Sequence, residues 1–388
     1  MRTPILLAAL FIATTASAQW TLLDSHSTAD FRGIDNVGHG IVWVSGTQGT
    51  ILRSTDNGAT WQRCTTPPGA DKLDFRGIQA FDAQRAVAMS AGTGDLSRLY
   101  VTNNGCQTWS LFFTDPDADG FFDALQARFR PNLQNPSLML LGDPIRGRFR
   151  LWALYPFAVN GKSGPTAVRL QPALNGESIF AASNSSLLVL DTRGDYLFGT
   201  GGPQGARIIH NDTDDELAPH SSLAVAPVGD ETVSSGIFSI AIKTETGKTL
   251  HRWWKPYFDV NELYTTQRAV AVGGDYKKPD DATSVAAYCK SLDPGWGGVV
   301  WYAAETQPHG YRSSVAYDPT TKTWITVGPN GTDISTDDGR NWRALTPTST
   351  EPPDADKNWN ALSLPFVSGP HGRIGILNPA ALKPQPKH

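Results

Sequence analysis

The sequence is poor in cysteine, in charge and in long apolar runs. It has 388 residues, of which only three are cysteine and 18% are charged, against about 25% in ordinary globular proteins. Three cysteines exclude a disulfide-stapled scaffold and a four-thiolate zinc site. The net charge of −4 gives no basic footprint, which argues against nucleic acid as the main ligand. No stretch approaches the roughly 20 apolar residues of a membrane span.

The three cysteines are odd in number, so at least one is unpaired or pairs between chains. Cys64 and Cys106 could bridge neighbouring repeats. A buried free thiol is an equal alternative for each of them and for Cys289.

The N-terminus has the pattern of an export signal. Arg2 supplies a positive region, Ile5 to Ala13 form a short apolar run, and Ala16-Ser17-Ala18 has the small-x-small form of a cleavage site. We therefore expect residues 1–18 to be a signal peptide and residues 19–388 to be the mature chain, a secreted or periplasmic protein.

Turn residues, aromatics and an internal repeat dominate the rest. The chain contains 37 glycines, 27 prolines and 12 tryptophans, a composition that favours short strands joined by tight loops. Asp30-Phe31-Arg32-Gly33-Ile34 returns identically as Asp74-Phe75-Arg76-Gly77-Ile78, and looser copies follow. Four-stranded units of about 40–50 residues, repeated four to eight times, describe a β-propeller. The sequence predicts an all-β, seven-bladed propeller as one domain, with Trp20–Leu23 closing the last blade.

A second motif marks the turns between outer strands. Ser54-x-Asp56-x-Gly58-x-x-Trp61 recurs as Ser335-x-Asp337-x-Gly339-x-x-Trp342, and a degenerate copy is placed at Asn103-x-Gly105 with Trp109 one residue late. Asp can accept backbone N–H bonds, Gly can take a positive φ, and Trp can fold back over the sheet. A structural role is the interpretation for all eight motif residues.

These motifs resemble the Asp-box (BNR) repeat proteins. Three further runs resemble the photosystem II stability/assembly factor-like propellers, namely Phe31–Ile34, Val44–Gly49 leading into Leu52–Asp56, and Gly372–Gly375. The resemblance implies a seven-bladed propeller that is more a binding module than an enzyme, takes a protein or peptide partner, and needs no cofactor.

The variable position of the repeated innermost strand supplies the candidate site. Around the ring we assign it to seven residues: Arg32, Arg76, Phe122, Phe180, Phe238, Arg312 and Asn360. Converging arginines would bind a carboxylate or another anion, and the phenylalanine arc would take an apolar side chain. In the alternative, each arginine pairs with a local carboxylate such as Asp30 or Asp74, and each phenylalanine belongs to the core between blades. The resemblance also implies a basic patch on one propeller face that contacts the partner, and these arginines are the candidates for it.

An insertion near residues 243–266 carries an aromatic cluster that includes Trp253 and Trp254. It either covers a blade edge or forms an aromatic binding loop for a protein, or for a sugar on which aromatic faces stack.

Two other sites are weaker. Asp115-x-Asp117-x-Asp119-Gly120 begins like a calcium loop, but Gln126 stands where a bidentate Glu is needed, so an acidic turn without metal is preferred. A sialidase-like glycoside hydrolase, or a carbohydrate-binding propeller, is the alternative function. It would use Arg32, Arg76 and Arg312 as a triad, but Phe31–Ile34 lacks the Arg-Ile-Pro run typical of sialidases. No nucleophilic Tyr with an assisting Glu can be placed either, since Tyr264 beside Glu262 lies in the insertion.

Overall fold

The computed structural model describes residues 19–128, 137–157, 164–168, 172–190, 195–212, 220–252, 259–292, 299–345, 352 and 354–382. Its strands form seven antiparallel four-stranded sheets, which are the blades of a propeller. The all-β, seven-bladed fold predicted from the repeat is confirmed.

Blades 1 to 6 use four consecutive strands each, innermost strand first. Blades 1 and 2 consist of β2 (Phe31–Gly38), β3 (Ile41–Gly46), β4 (Ile51–Ser54), β5 (Gln62–Arg63), β6 (Phe75–Ala80), β7 (Ala86–Ser90), β8 (Arg98–Thr102) and β9 (Ser110–Thr114). Blades 3 and 4 consist of β10 (Phe122–Arg128), β11 (Ser137–Ile145), β12 (Arg148–Leu154), β13 (Thr166–Val168), β14 (Leu187–Val189), β15 (Tyr196–Gly199), β16 (Ala206–Asp212) and β17 (His220–Ala226). Blades 5 and 6 consist of β18 (Ser235–Arg252), β19 (Asp259–Asp275), β20 (Ala286–Cys289), β21 (Trp301–Ala303), β22 (Ser314–Asp318), β23 (Thr323–Gly328), β24 (Gly331–Ser335) and β25 (Arg343–Ala344).

Blade 7 combines the two ends of the chain, as the sequence predicted. It contains β26 (Ala361–Ser363), β27 (Phe366–Ser368), β28 (Ile374–Leu377) and, outermost, β1 (Trp20–Leu23). Trp20 pairs with Leu377, and its indole Nε1 donates to Thr332 Oγ1 of blade 6 at 3.0 Å. The N-terminal strand pairs along β28 and joins the two chain ends in one sheet, which closes the ring and leaves only a short outer edge on the last blade.

The apolar core lies between blades. Seven clusters of buried side chains each join two neighbouring sheets, such as Trp43 and Ile51 of blade 1 with Phe75 and Tyr100 of blade 2. Strands such as β3 and β7 are buried along almost their whole length because a blade is covered on both faces.

The innermost strands share a local irregularity near their first residues. In blades 1, 2, 3 and 5 the pairing with the second strand shifts by one residue, which is a β-bulge. The residue after the bulge is small in each of these blades, and at Gly33 a Cβ would come 2.5 Å from Ser45 Oγ. The bulge therefore turns one side chain per blade out of the ladder, toward the central channel.

The described residues contain two short 3-10 helices, Gly94–Leu96 and Pro379–Leu382. Within these described ranges, no helix has the length and apolar character required to cross a bilayer.

Cys64 and Cys106 form a disulfide, which resolves the alternatives left open by the sequence. It joins the segment after β5 of blade 1 to the turn between β8 and β9 of blade 2. Cys289 is buried and unpaired, and its thiol donates to the Ser291 carbonyl at 2.8 Å.

The predicted insertion in blade 5 is a long β-hairpin. β20 pairs with β19 only over Ala269–Val272, whereas β18 and β19 continue in register with each other from Lys243 and Arg268 to Arg252 and Asp259. These ten residue pairs form a two-stranded extension of about 30 Å, which we call the blade 5 arm. Trp253 and Trp254 lie outside the described residues.

The Ser-x-Asp motifs occupy the predicted turns between third and fourth strands. Ser54 Oγ accepts the Gly58 N–H at 2.8 Å and Asp56 accepts the Thr60 N–H at 2.9 Å. Ser335 and Asp337 make the same bonds to Gly339 and Asn341, while Trp61 and Trp342 pack into inter-blade cores.

The degenerate copy has a different alignment from the one predicted. In blade 2 the equivalent hydrogen bonds are made by Thr102 and Asn104, with Cys106 at a φ of 63° in the place of glycine. Trp109 is therefore in register and not one residue late.

Candidate functional site

All seven innermost strands begin at the same end of the central channel, where they surround a cavity of about 600 Å³. We call it the channel-mouth cavity. Charged, polar and aromatic side chains dominate its lining, which includes Arg32, Arg76, Phe121, Asp123, Asp143, Ser178, Phe180, Val233, Phe238, Tyr276, Tyr311, Ser313, Trp359 and Asn360.

Each blade contributes one residue at the bulge or its equivalent position, and all seven line the cavity. In ring order these residues are Arg32, Arg76, Asp123, Phe180, Phe238, Ser313 and Asn360. Five of these seven are residues that the sequence analysis placed on the ring. Phe122 and Arg312 each precede the lining residue by one position. The repeat was aligned on a bulky residue in these two blades and not on the small residue, Ala124 or Ser314, that stands at the position of Gly33. Aligning Ala124-Leu125 and Ser314-Val315 with Gly33-Ile34 would have identified Asp123 and Ser313.

Arg32 and Arg76 are brought together by one carboxylate. Arg76 Nε donates to Asp74 Oδ2 at 2.8 Å, and Arg32 Nε lies 3.6 Å from the same oxygen. Both side chains are about one third exposed. Within the described ranges their terminal guanidinium nitrogens have no hydrogen-bond partner, so two guanidinium groups with one shared counter-ion face the cavity. The two alternatives from the sequence therefore hold together: both arginines contact a local carboxylate, Asp74, and both line the channel.

Arg312 does not join this pair. Its side chain is completely buried, and it binds Asp333 through Nε and Nη2, with the Nε bond at 2.8 Å. Further bonds go to the Tyr311 carbonyl, Asn330 and His309. The three-arginine cluster expected from the sequence, and the triad that a sialidase would need, are therefore reduced to two.

Phe122 also lies outside the cavity. It is fully buried and packs with Phe113 and Trp152 in the core between blades 2 and 3. Its neighbour Phe121 lines the cavity instead, with its ring 5.9 Å from the Arg76 guanidinium carbon.

An aromatic wall fills the opposite arc, as the sequence predicted for Phe180 and Phe238. Their rings stack at a centroid distance of 4.1 Å, and Tyr311 meets the Phe238 ring edge-on at 4.8 Å. Tyr276 lies 6.1 Å from Phe238 and is half exposed at the mouth. Asn360 uses its amide to donate to the Phe31 carbonyl at 2.7 Å, which links blade 7 to blade 1.

Two carboxylates that the sequence analysis did not select line the cavity in blade 3. Asp123 is only 1% exposed, and its Oδ2 has no hydrogen-bond partner. Asp143 accepts the Ile179 N–H at 2.9 Å. Burial, reinforced by the nearby Asp143 charge, raises the pKa of Asp123 well above its usual value, although the Arg76 guanidinium opposes the shift. Burial likewise raises the pKa of Asp143 to about 6.

The acidic turn at Asp115, Asp117 and Asp119 is organised by protein contacts. Asp115 is buried and accepts Arg150 Nη1 at 2.7 Å and the Asp117 N–H at 3.0 Å. Asp117 in turn accepts the Asp119 N–H. Across the described ranges, no three His, Cys, Asp or Glu side chains are grouped to hold a metal ion.

Fold and site together define a class: a seven-bladed β-propeller with a charged and aromatic cavity at the mouth of its channel. No family model matches the chain. No curated protein matches it either.

Solved structures do match. YCF48 bound to a D1 peptide is 13% identical with a TM-score of 0.54, covering 93% of this chain and 98% of that one. YCF48 from Cyanidioschyzon merolae is 16% identical with a TM-score of 0.55, over 94% and 100% of the two chains. The WD40 repeats of RRP9 are 12% identical with a TM-score of 0.52, over 93% and 98%. At these identities the likeness shows the fold, and at that level it agrees with the assembly factor-like resemblance. The Asp-box resemblance stays a prediction.

Proposed function

We propose that the protein is a non-enzymatic binding module that holds a protein or peptide partner at the channel-mouth cavity. The main support is the pair Arg32 and Arg76. Both contact the Asp74 carboxylate through Nε, and their terminal nitrogens face the cavity. A planar guanidinium offers two parallel N–H donors to a carboxylate, so an acidic group of the partner suits this arc. The aromatic wall across the cavity would bury an apolar side chain, the kind of contact that dominates binding hot spots.

A structural neighbour supports a peptide as the ligand. YCF48 is a photosystem II assembly factor, and one of its structures contains a D1 peptide. A role in assembly or stability of a partner is therefore part of the proposal.

Site-specific photocrosslinking tests the proposal. Benzoylphenylalanine at Val233, which lines the cavity and is 70% exposed, should crosslink the partner in an extract of the source cells. The matched control is Val225, which is 72% exposed on the outer strand of blade 4. Crosslinks at Val233 should disappear in an R32Q/R76Q variant. Equal products from both positions, or products that persist in this variant, would refute the site.

A sialoside assay separates the module from the enzyme alternative. Because Arg312 is buried, we expect no turnover of a fluorogenic sialoside that depends on Arg32. Turnover abolished by Arg32→Ala would instead assign the cavity to glycoside hydrolysis.

Export is also a proposal. The Cys64–Cys106 disulfide supports it, because structural disulfides persist in oxidising compartments. N-terminal sequencing of the protein recovered outside the cytoplasm should begin at Gln19. An intact Met1 on cytoplasmic protein would contradict both the cleavage and the export.

A further inference from the structure

We propose that the channel-mouth cavity is bipolar and that Asp123 and Asp143 receive a basic side chain located close to the acidic group of the bound peptide. This inference rests on the proposed function and specifies its partner as a peptide segment that carries both charges.

The first observation is the unpartnered carboxylate oxygen of Asp123. A buried polar atom without a hydrogen bond is uncommon, because water must be removed from it without compensation. Asp123 Oδ2 belongs to a residue that lines the cavity and is 1% exposed. The nearest available guanidinium, Arg76, directs its Nε to Asp74 instead. No donor from the described residues reaches this oxygen, and a basic group of a bound peptide would supply one.

Basic, acidic and aromatic side chains follow one another in that order around the channel-mouth cavity. Arg32 and Arg76 come from blades 1 and 2, Asp123 and Asp143 from blade 3, and the aromatic wall begins at Phe180 in blade 4. Neighbouring blades present guanidinium groups and carboxyl groups side by side, so the complementary acidic and basic groups of a peptide must lie within a few residues of each other.

An organic cation fits blade 3 better than a metal ion. Calcium takes six to eight oxygen ligands, and the described ranges place no third His, Cys, Asp or Glu beside the two carboxylates. Phe121 and Phe180 also line the cavity, and aromatic faces attract ammonium and guanidinium groups. A lysine or arginine side chain combines these requirements.

Peptide display on the purified protein tests the inference. Random heptapeptides would be selected on the unaltered protein, on D123N/D143N and on R32Q/R76Q. Asparagine retains an oxygen for the Ile179 N–H, and thermal unfolding of each variant would verify its fold. Peptides selected on the unaltered protein should be enriched in Lys or Arg within three positions of Asp or Glu. D123N/D143N should lose the basic enrichment and keep the acidic one.

A selected peptide then gives a quantitative cycle. Replacing its basic residue by norleucine should weaken binding to the unaltered protein at least about tenfold, because hydrogen bonds to charged groups contribute more than neutral ones. The same replacement should leave binding to D123N/D143N nearly unchanged.

The failures are distinguishable. Acidic enrichment that depends on the arginines, without basic enrichment, would overturn only the bipolar site. Basic enrichment that persists in D123N/D143N would also overturn it. Binding that is indifferent to R32Q/R76Q, or no enrichment at all, would overturn the proposed function as well.

Discussion

At the scale of single residues, burial separates arginines that look alike in the sequence. Arg32 is 34% exposed beside a shared carboxylate, whereas Arg312 is completely buried against Asp333. Removing one partner of a buried ion pair leaves the other charge desolvated and uncompensated, which costs far more than the loss of an exposed pair. The first arginine lines the channel-mouth cavity, and the second holds blade 6 together.

Substitution of the two arginines should therefore lower the stability by very different amounts. We expect Arg312→Ala to lower the free energy of unfolding by about 3–5 kcal/mol, and Arg32→Ala to lower it by less than about 1 kcal/mol. Urea unfolding followed by tryptophan fluorescence measures both. If Arg312→Ala unfolds like the unaltered protein but loses its partner, the arginine belongs to the binding site after all.

Asp35 makes the stability depend on pH. Its carboxyl accepts Gln79 Nε2 at 2.6 Å and the Ala80 N–H at 2.7 Å, and burial raises its pKa to about 7. An unfolded aspartate has a pKa near 3.8. Between these values only the folded protein holds the proton, so stability falls as pH rises from about 4 to about 7 and levels off above that. The slope is at most about 1.4 kcal/mol per pH unit from this residue.

Asp35→Asn is the matching variant, because an amide oxygen can accept both hydrogen bonds without a charge. Melting temperatures between pH 5 and pH 8 should decline less steeply in the variant than in the unaltered protein. Asp143 and Asp356, whose pKa values burial raises to about 6, leave a residual decline in both. Parallel pH profiles would show that Asp35 does not titrate in this range.

At the scale of elements, a β-bulge decides which side chain of the innermost strand enters the channel in blades 1, 2, 3 and 5. The repeated Phe-Arg-Gly-Ile signal predicted the innermost strands and five of the seven cavity positions. It misplaced blades 3 and 6 because register there depends on a small residue that fits under the neighbouring strand, as Gly33 does beside Ser45. Asp123 was missed for the same reason, and Asp143 because it comes from the second strand, which carries no repeated signal.

The disulfide between blades 1 and 2 should be a major support of that interface. Cys64 and Cys106 are separated by 42 residues, and closing a loop of that size restricts the unfolded chain by about 4 kcal/mol. We expect a C64S/C106S variant to melt at a lower temperature than the unaltered protein. Cys289→Ser, which removes the free thiol and keeps the disulfide, is the control. Reducing agent should lower the melting temperature of Cys289→Ser and leave that of C64S/C106S unchanged. If the disulfide-containing protein melts at the same temperature with and without reductant, the disulfide does not stabilise the interface of blades 1 and 2.

The blade 5 arm is attached at its base by charge. Asp338 accepts Lys243 Nζ at 2.9 Å and Arg268 Nη1 at 2.6 Å, and it lies in the turn between β24 and β25 of blade 6. Asp338→Ala should increase hydrogen exchange in Lys243–Glu245 and Thr266–Arg268, at the base of the arm, without changing exchange in Ser239–Ala241 or in the innermost strands of the other six blades. Glu305→Gln, which removes an exposed ion pair with Arg340, is the control. Unchanged exchange at the base would mean that strand pairing alone positions the arm.

At the scale of the whole molecule, the ring is continuous in both apolar and polar contacts. Seven apolar clusters fill the seven blade interfaces. Side-chain hydrogen bonds from inner-strand segments also cross every interface, made in turn by Asp35, Gln79, Asn184, Ser185 with Ser239, Ser239, Ser314 and Ser363. The repeat period could predict this closed architecture because closure is a property of the repeated unit. The polar belt uses different residues in each blade, so no single motif reveals it.

Because the ring is continuous, its weakest point should be the place where the chain ends meet. β1 is held by pairing with β28, by the Trp20–Thr332 hydrogen bond and by packing of the Trp20 and Trp359 rings at 5.8 Å. Trp20→Ala leaves a cavity at the interface of blades 6 and 7 and should cost about 3–5 kcal/mol, whereas Leu22→Ala on the exposed face should cost little. The decisive measurement is hydrogen exchange in the Trp20 variant. If the blades unfold as one unit, protection falls in the innermost strands of all seven, since opening one interface removes the closure on which the others depend. Loss of protection confined to blade 7 would show instead that the remaining six blades are stable as an open array, and that the N-terminal strand completes only its own sheet.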